Sequence, residues 1–255
     1  MHLSITIFCL IPQDIQPGEW AILGIVALLI GMAKTGVHGA GMMSVPILAN
    51  VFGGQLSSGI MLPILVLADI IGVWYYHRHT SWDHLKKLFP WAAAGVILGT
   101  LTGQYIDDGL FRVLMASIIY ISLGIMLWLE KNADHVPDAP AFTGFSGVAG
   151  GFTSMVGNLA NSVMAVYFLS VRLPKNIFIG TTAWFFLVLN WFKVPFHIWV
   201  WKTIDVGTVL SDLILVPLIV AGAWIGIVVV KKFSDRAYRW FIIAMTAVSA
   251  LVMIL

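Results

Sequence analysis

The sequence predicts an all-α polytopic membrane protein of two inverted repeats, each an interrupted helical hairpin plus three transmembrane helices. Three observations predict it. The first is composition: of 255 residues, 60% are hydrophobic and 10% are charged. Soluble domains carry about 25% charged residues, so lipid must solvate most of this surface, and the mean hydropathy of +0.94 agrees. The second is a pair of apolar stretches, 20–52 and 142–170, each broken near its middle by glycines and polar side chains. The third is a one-sided distribution of basic loops.

The elements follow in order. Residues 1–19 hold an apolar core too short to span, because about 20 residues are needed. They lack a basic leader and a small-residue cleavage site, and read as an interfacial lead-in. As one helix, 20–52 would run about 50 Å, against a hydrocarbon core of about 30 Å, so it folds back as a hairpin. Spans at 57–76, 88–106 and 110–129 complete the first repeat, 20–130. A cytoplasmic linker, 131–141, leads to the second repeat, 142–255, with its hairpin at 142–170 and spans at 176–198, 206–230 and 236–254.

Cytoplasmic loops of membrane proteins are enriched in Lys and Arg. If both hairpins return to the side they start from, loops 77–87, 130–141, 171–175 and 231–239 share one face with ten basic residues. The other face holds Arg112 and Lys202. Single crossings would divide the charges nearly evenly, so the hairpins are favoured. Matching residues recur in the two halves: Gly59 and Asp69 against Gly180 and Asn190, Gly99 and Gly103 against Gly222 and Gly226, and Asp108 and Arg112 against Asp235 and Arg239.

Other classes recede. One cysteine, Cys9, allows no internal disulfide and no thiolate metal cluster. A net charge of +2 gives no reason to expect a nucleic-acid partner. Eleven Trp and six Tyr suit anchoring at membrane interfaces. No organic cofactor is implied.

A break in a lipid-embedded helix leaves backbone groups without partners unless it is buried in protein or lines a cavity. Two breaks in corresponding places of inverted halves point to a transporter site near the midplane. Helix N-termini after each break favour an anion. The candidates are Lys34 for charge, Thr35, His38, Ser154, Asn158 and Asn161 for hydrogen bonds, and Gly36, Gly39, Gly41 and Gly157 for turning or close approach. Each has a plainer reading. Lys34 would snorkel, His38 would be a hydrogen-bonded tip residue, the asparagines would join helices, and the glycines would let helices pack closely.

Asp69, Thr181 and Asn190 lie within full spans and are coupling or gating candidates. A charge there is expensive and functional by default. Alternatively Asp69 pairs with a buried cation, and Thr181 and Thr182 bond back to their own helix. Lys193 and His197 stand near Trp199 and Trp201, which suggests snorkelling. His77, His79 and His84 loosely permit metal binding, but a solvated basic loop is the better reading.

At these residues the chain resembles the sulfite exporter TauE/SafE family. "GMAKTGVHGAGMMSVPIL" is similar to its N-terminal signature, and "GGFTSMVGNLANSVMAVYFLSVRLPKNIFIGTTAWFFLVLNWFKVPFH" to the second-half signature of one branch. His38-Gly39-Ala40-Gly41 departs from the usual glycine triplet. The resemblance implies an integral permease of the cell (plasma or inner) membrane for small sulfur-containing anions such as sulfite or organosulfonates, with export the commonly assigned direction. With the residues, it suggests alternating access, coupling to protons through Asp69 or His38, and no enzymatic activity. Alternatives are an anion channel on the same scaffold and an intramembrane enzyme. The oligomeric state stays open, with a homodimer as one option.

This topology is open to a direct check. With Cys9→Ser as background, single cysteines at Ser81 and Ser234 should resist an impermeant thiol reagent in intact cells. Strong labelling of either would remove the hairpin assignment.

Overall fold

The computed structural model describes residues 15–131 and 140–252. Most of the expected lead-in and linker, with Cys9, lies outside them. Among the described residues the chain is helical with no strand. Before the second break the helices are α1 (Pro17–Lys34), α2 (His38–Phe52), α3 (Gly54–Tyr76), α4 (Trp82–Gly103), α5 (Asp108–Lys131) and α6 (Pro140–Gly157). After it come α7 (Ala160–Ser170), α8 (Lys175–Pro195) with a π-helical turn at Phe196–Val200, α9 (Val206–Ile214), α10 (Val216–Val230) and α11 (Asp235–Val252).

Local chemistry sets several starts. Pro17 opens α1 behind a reciprocal capping box between Gln16 and Glu19. Asp107 accepts from the Leu110 N–H at the start of α5. Asp205 caps α9, accepting from the Thr208 N–H at 2.7 Å and from its hydroxyl at 2.9 Å. These two bonds, the backbone one first, hold the Asp205 carboxyl below its usual range.

Among the described residues four helices are long and apolar enough to cross a membrane: Pro17–Lys34, Gly54–Tyr76, Gly109–Trp128 and Lys175–Val200. The bent pair Val206–Ile214 and Val216–Val230 makes up to five. Three of the six expected full spans fall in this set. The fourth, 206–230, is not one helix: it bends by 52° at Leu215, just before Pro217, whose ring cannot continue the helix ladder. The expected spans 88–106 and 236–254 are the helices α4 and α11, but both stand outside the set. Charges crowd their first turns: Asp83, Lys86 and Lys87 in α4, and Asp235, Arg236 and Arg239 in α11.

Both interrupted stretches break. The first does so over Thr35–Val37, and the second at Asn158 and Leu159. With 18 residues each, α1 and α6 are about 27 Å long, near the roughly 30 Å thickness of the hydrocarbon core. Their return arms are shorter, at 15 and 11 residues.

The packing runs across the chain. α1 packs on α2 and on the distant α10; α6 packs on α7 and on α4. α2 and α7 pack on α11 and α5, and α3 lies against α8 in the middle. Glycines permit the closest crossings. A Cβ on Gly31 would sit 2.2 Å from the Ile219 carbonyl oxygen, and one on Gly151 1.9 Å from that of Ala92. Gly151→Val should therefore force α4 and α6 apart at a cost of about 1–3 kcal/mol or more, read as a lower thermal midpoint of purified protein. Gly124→Ala, where a Cβ meets nothing within 4 Å, should leave the midpoint unchanged.

Candidate functional site

The two breaks lead to one buried polar cluster. Lys34, the last residue of α1, is 5% exposed, and Asp69 of α3 is 0% exposed. The Lys34 ammonium lies 2.8 Å from Asp69 Oδ1 and 4.1 Å from the centre of the Phe186 ring. Gly72 makes room for this approach, because a Cβ there would stand 2.5 Å from the Lys34 carbonyl oxygen. Asn190 of α8 donates to Asp69 Oδ2 at 2.6 Å.

Asn190 links this pair to a second cation. Lys193, 0% exposed, donates to Asn158 Oδ1 at 2.5 Å, Ser154 Oγ at 3.1 Å and Asn190 Oδ1 at 3.3 Å. Asn158 sits in the second break with φ 56°. Asparagine is one of the few residues that tolerate this left-handed region. Its amide also donates to the Ser58 carbonyl oxygen of α3 at 3.0 Å, so one side chain bridges α3, the break and α8. Among the described residues the cluster holds two lysines and one aspartate, and the three oxygen partners of Lys193 are neutral.

The expectation that Lys193 and His197 snorkel is overturned, since both are 0% exposed. The decisive signal was spacing: Lys193 follows Asn190 by three residues and so shares its helix face, and His197 follows by one more turn. Nearby tryptophans misled, since Trp201 is itself buried and donates to the Thr100 carbonyl oxygen. His197 Nδ1 lies 2.8 Å from Thr203 Oγ1, and its Nε2 is buried with no partner among the described residues.

The structure brings together Lys34, Asp69, Ser154, Asn158 and Asn190. The other candidates stand elsewhere. The Thr35 hydroxyl is 2.8 Å from the Ala223 carbonyl oxygen and 3.0 Å from that of Gly31, tying the break to α10. Gly36, at φ +128°, makes the turn itself, and its carbonyl accepts from the Tyr238 hydroxyl. Gly39 and Gly41 lie inside α2 against Met245 and Ala33, and Gly157 lies against Met115. Asn161 is half-buried in the first turn of α7. Thr181 accepts from the Ser81 N–H at 2.9 Å, at the start of α4, while Thr182 bonds back to Phe178. The side chain of His38 lies outside the described residues.

The model of the family described as Sulfite exporter TauE/SafE matches residues 23–253. The chain belongs to that family. This TauE/SafE chain is also similar to "Probable membrane transporter protein MamO" of Paramagnetospirillum magneticum, with 29% identity over 123 residues. The match covers 44% of this chain and 19% of that relative. No solved structure matches it. It is thus a member of a membrane-transporter family, and its breaks meet at a shared buried cluster.

Removing one partner of a buried ion pair leaves the other without compensation, at about 3–5 kcal/mol. Lys34→Met alone should therefore lower the thermal midpoint sharply. Adding Asp69→Asn should recover much of the loss. A double variant no more stable than the single one would show that the pair is not the coupled unit.

Proposed function

We propose that the chain is a secondary transporter, acting as an exporter of small sulfur-containing anions such as sulfite or an organosulfonate. One observation carries the reading. Lys193 is fully buried and held by neutral oxygens, while the nearby carboxylate, Asp69, is engaged by Lys34. Stripping water from an ammonium is costly unless a negative charge replaces it. A small anion would be that charge. Ser162 Oγ, buried in the first turn of α7 without a partner among the described residues, would be a further donor, and the N-terminus of α7 favours the same sign of charge. The family's description supplies sulfite as the ligand class, and the charge argument applies equally to any compact oxyanion.

Two inverted repeats, 20–130 and 142–255, are part of the reading. They gain support from paired contacts: α1 on α10 corresponds to α6 on α4, and α2 on α11 to α7 on α5. Gly59 approaches Thr203 after α8, as Gly180 approaches His79 after α3. In alternating access, the moving bodies would then combine elements from both halves, α1 and α2 with α10 and α11 against α4 and α5 with α6 and α7, about the central α3 and α8. Asp69 is the coupling residue. A proton on it would release Lys34 as a second cation for the anion, so protonation of Asp69 and anion binding would be linked. In this reading the chain resides in the cell membrane.

Transport of radiolabelled sulfite in proteoliposomes tests this. A charge-assisted hydrogen bond is worth about 1.5–3 kcal/mol, so Lys193→Ala should weaken sulfite affinity about tenfold or more. Lys202→Ala, on a connecting segment, should leave it unchanged. Wild-type affinity in the Lys193 variant would overturn the assignment.

A further inference from the structure

A second polar feature lies away from this cluster. At the end of the bundle where α1 and α9 begin and α2 ends there is a cavity of about 340 Å³. Most of its wall is apolar, with Leu23, Phe52 and Ile60 among the contributors. Asp212, on α9 just before the bend at Leu215, lines it too. Asp212 is 1% exposed, and its Oδ2 has no hydrogen-bond partner among the described residues. The neighbouring hydroxyls are already committed. Ser211 donates to the Gly207 carbonyl oxygen, and Thr208 to Asp205. Glu19 is the other ionisable residue in the wall, and it accepts from the Gln16 N–H. Phe52 of α2 and Leu56 and Ile60 of α3 bring no charge.

A buried carboxyl with an unpartnered oxygen stays ionised only where a positive group replaces the water it lost, and otherwise takes up a proton. Here the missing charge is positive. A bare metal ion is a poor fit, because hard cations need six or more oxygens, and hydrocarbon makes up most of this wall. The volume falls in the range of small-molecule pockets. We infer that this cavity is a binding site for a primary ammonium group carried on a short apolar body, with Asp212 as its anionic partner and Leu23, Phe52 and Ile60 as the walls for the body. The site is independent of the anion cluster and does not rest on the transport reading. The ammonium has two sources, a soluble alkylamine or the headgroup of phosphatidylethanolamine, since the cavity lies at the end of the spans.

Purified full-length protein in detergent tests the inference with butylammonium, using butanol and butyrate as controls of equal chain length. Butylammonium should raise the thermal midpoint saturably, and the two controls should not. Asp212→Asn keeps the shape and removes the charge, so apparent affinity should fall about tenfold or more. Ile60→Trp fills the cavity without touching the charge and should abolish the response, which decides the matter if the Asp212 variant fails to fold. In reconstituted bilayers, stabilisation by phosphatidylethanolamine over phosphatidylcholine that disappears with Asp212→Asn identifies the lipid as the source. A response to butylammonium alone identifies a soluble amine. No saturable response of the wild type to either probe, or a response undiminished from the wild type in both variants, overturns the site. Sulfite binding by Asp212→Asn should match the wild type, so failure here and failure of the anion assignment are separable.

Discussion

A lysine ammonium without water needs a counter-charge, and the arrangement around Lys193 is organised by how far that need is met. Asn158, Ser154 and Asn190 each offer an oxygen, which satisfies the hydrogens but not the charge. The carboxylate that would satisfy it, on Asp69, is engaged by Lys34 and by the amide of Asn190. Asn190 faces both ways, donating to Asp69 and accepting from Lys193. Exchanging it for a second aspartate would give each lysine its own partner and remove the local excess of positive charge. Ser58, Asn158 and Gly72 serve the same cluster, since they hold the second break and the end of α1 close to α3.

Much of the bundle was legible from residue type alone. Charge scarcity required lipid, and the length of 20–52 required a fold-back. Asp69 and Asn190 were marked by polarity within apolar spans, and they do meet. Less legible were features that depend on facing partners. Gly39 and Gly41 look like turn residues in the sequence but lie within α2, where Met245 and Ala33 leave no room for a side chain. Only Gly36 supplies the turn. Thr181 reads as a polar residue of a span, yet it accepts a backbone hydrogen bond from Ser81, one hundred residues earlier. The bend at Leu215 had its signal in Pro217, which an apolar average over 206–230 concealed.

Lys193 was missed for a physical reason. A lysine near the end of a span can reach the interface with its charge while its stem stays in lipid, and nearby tryptophans encourage that reading. Helix phase is the stronger constraint. A residue three positions from one that faces the core faces the core too, and the interface is then out of reach. The π-helical turn at Phe196–Val200 follows directly, with His197 turned inward at its start. Such turns are frequent at functional sites.

The crossing of α1 with α10 has a consequence for biosynthesis. The Thr35 hydroxyl, which secures the first break, finds the Ala223 carbonyl oxygen 188 residues further along the chain. Gly31 and Gly222 make the same long connection through backbone contact. A ribosome therefore completes the first hairpin long before the helix that covers it exists. Until α10 is inserted, that face of α1 must be shielded by lipid or by the insertion machinery. The opposite holds for α6, which meets α4 already in place as it emerges. The second hairpin can dock during synthesis, whereas the first waits until α10 has been made. Chains truncated before Val216 should accordingly be substrates for membrane quality control rather than partly active carriers.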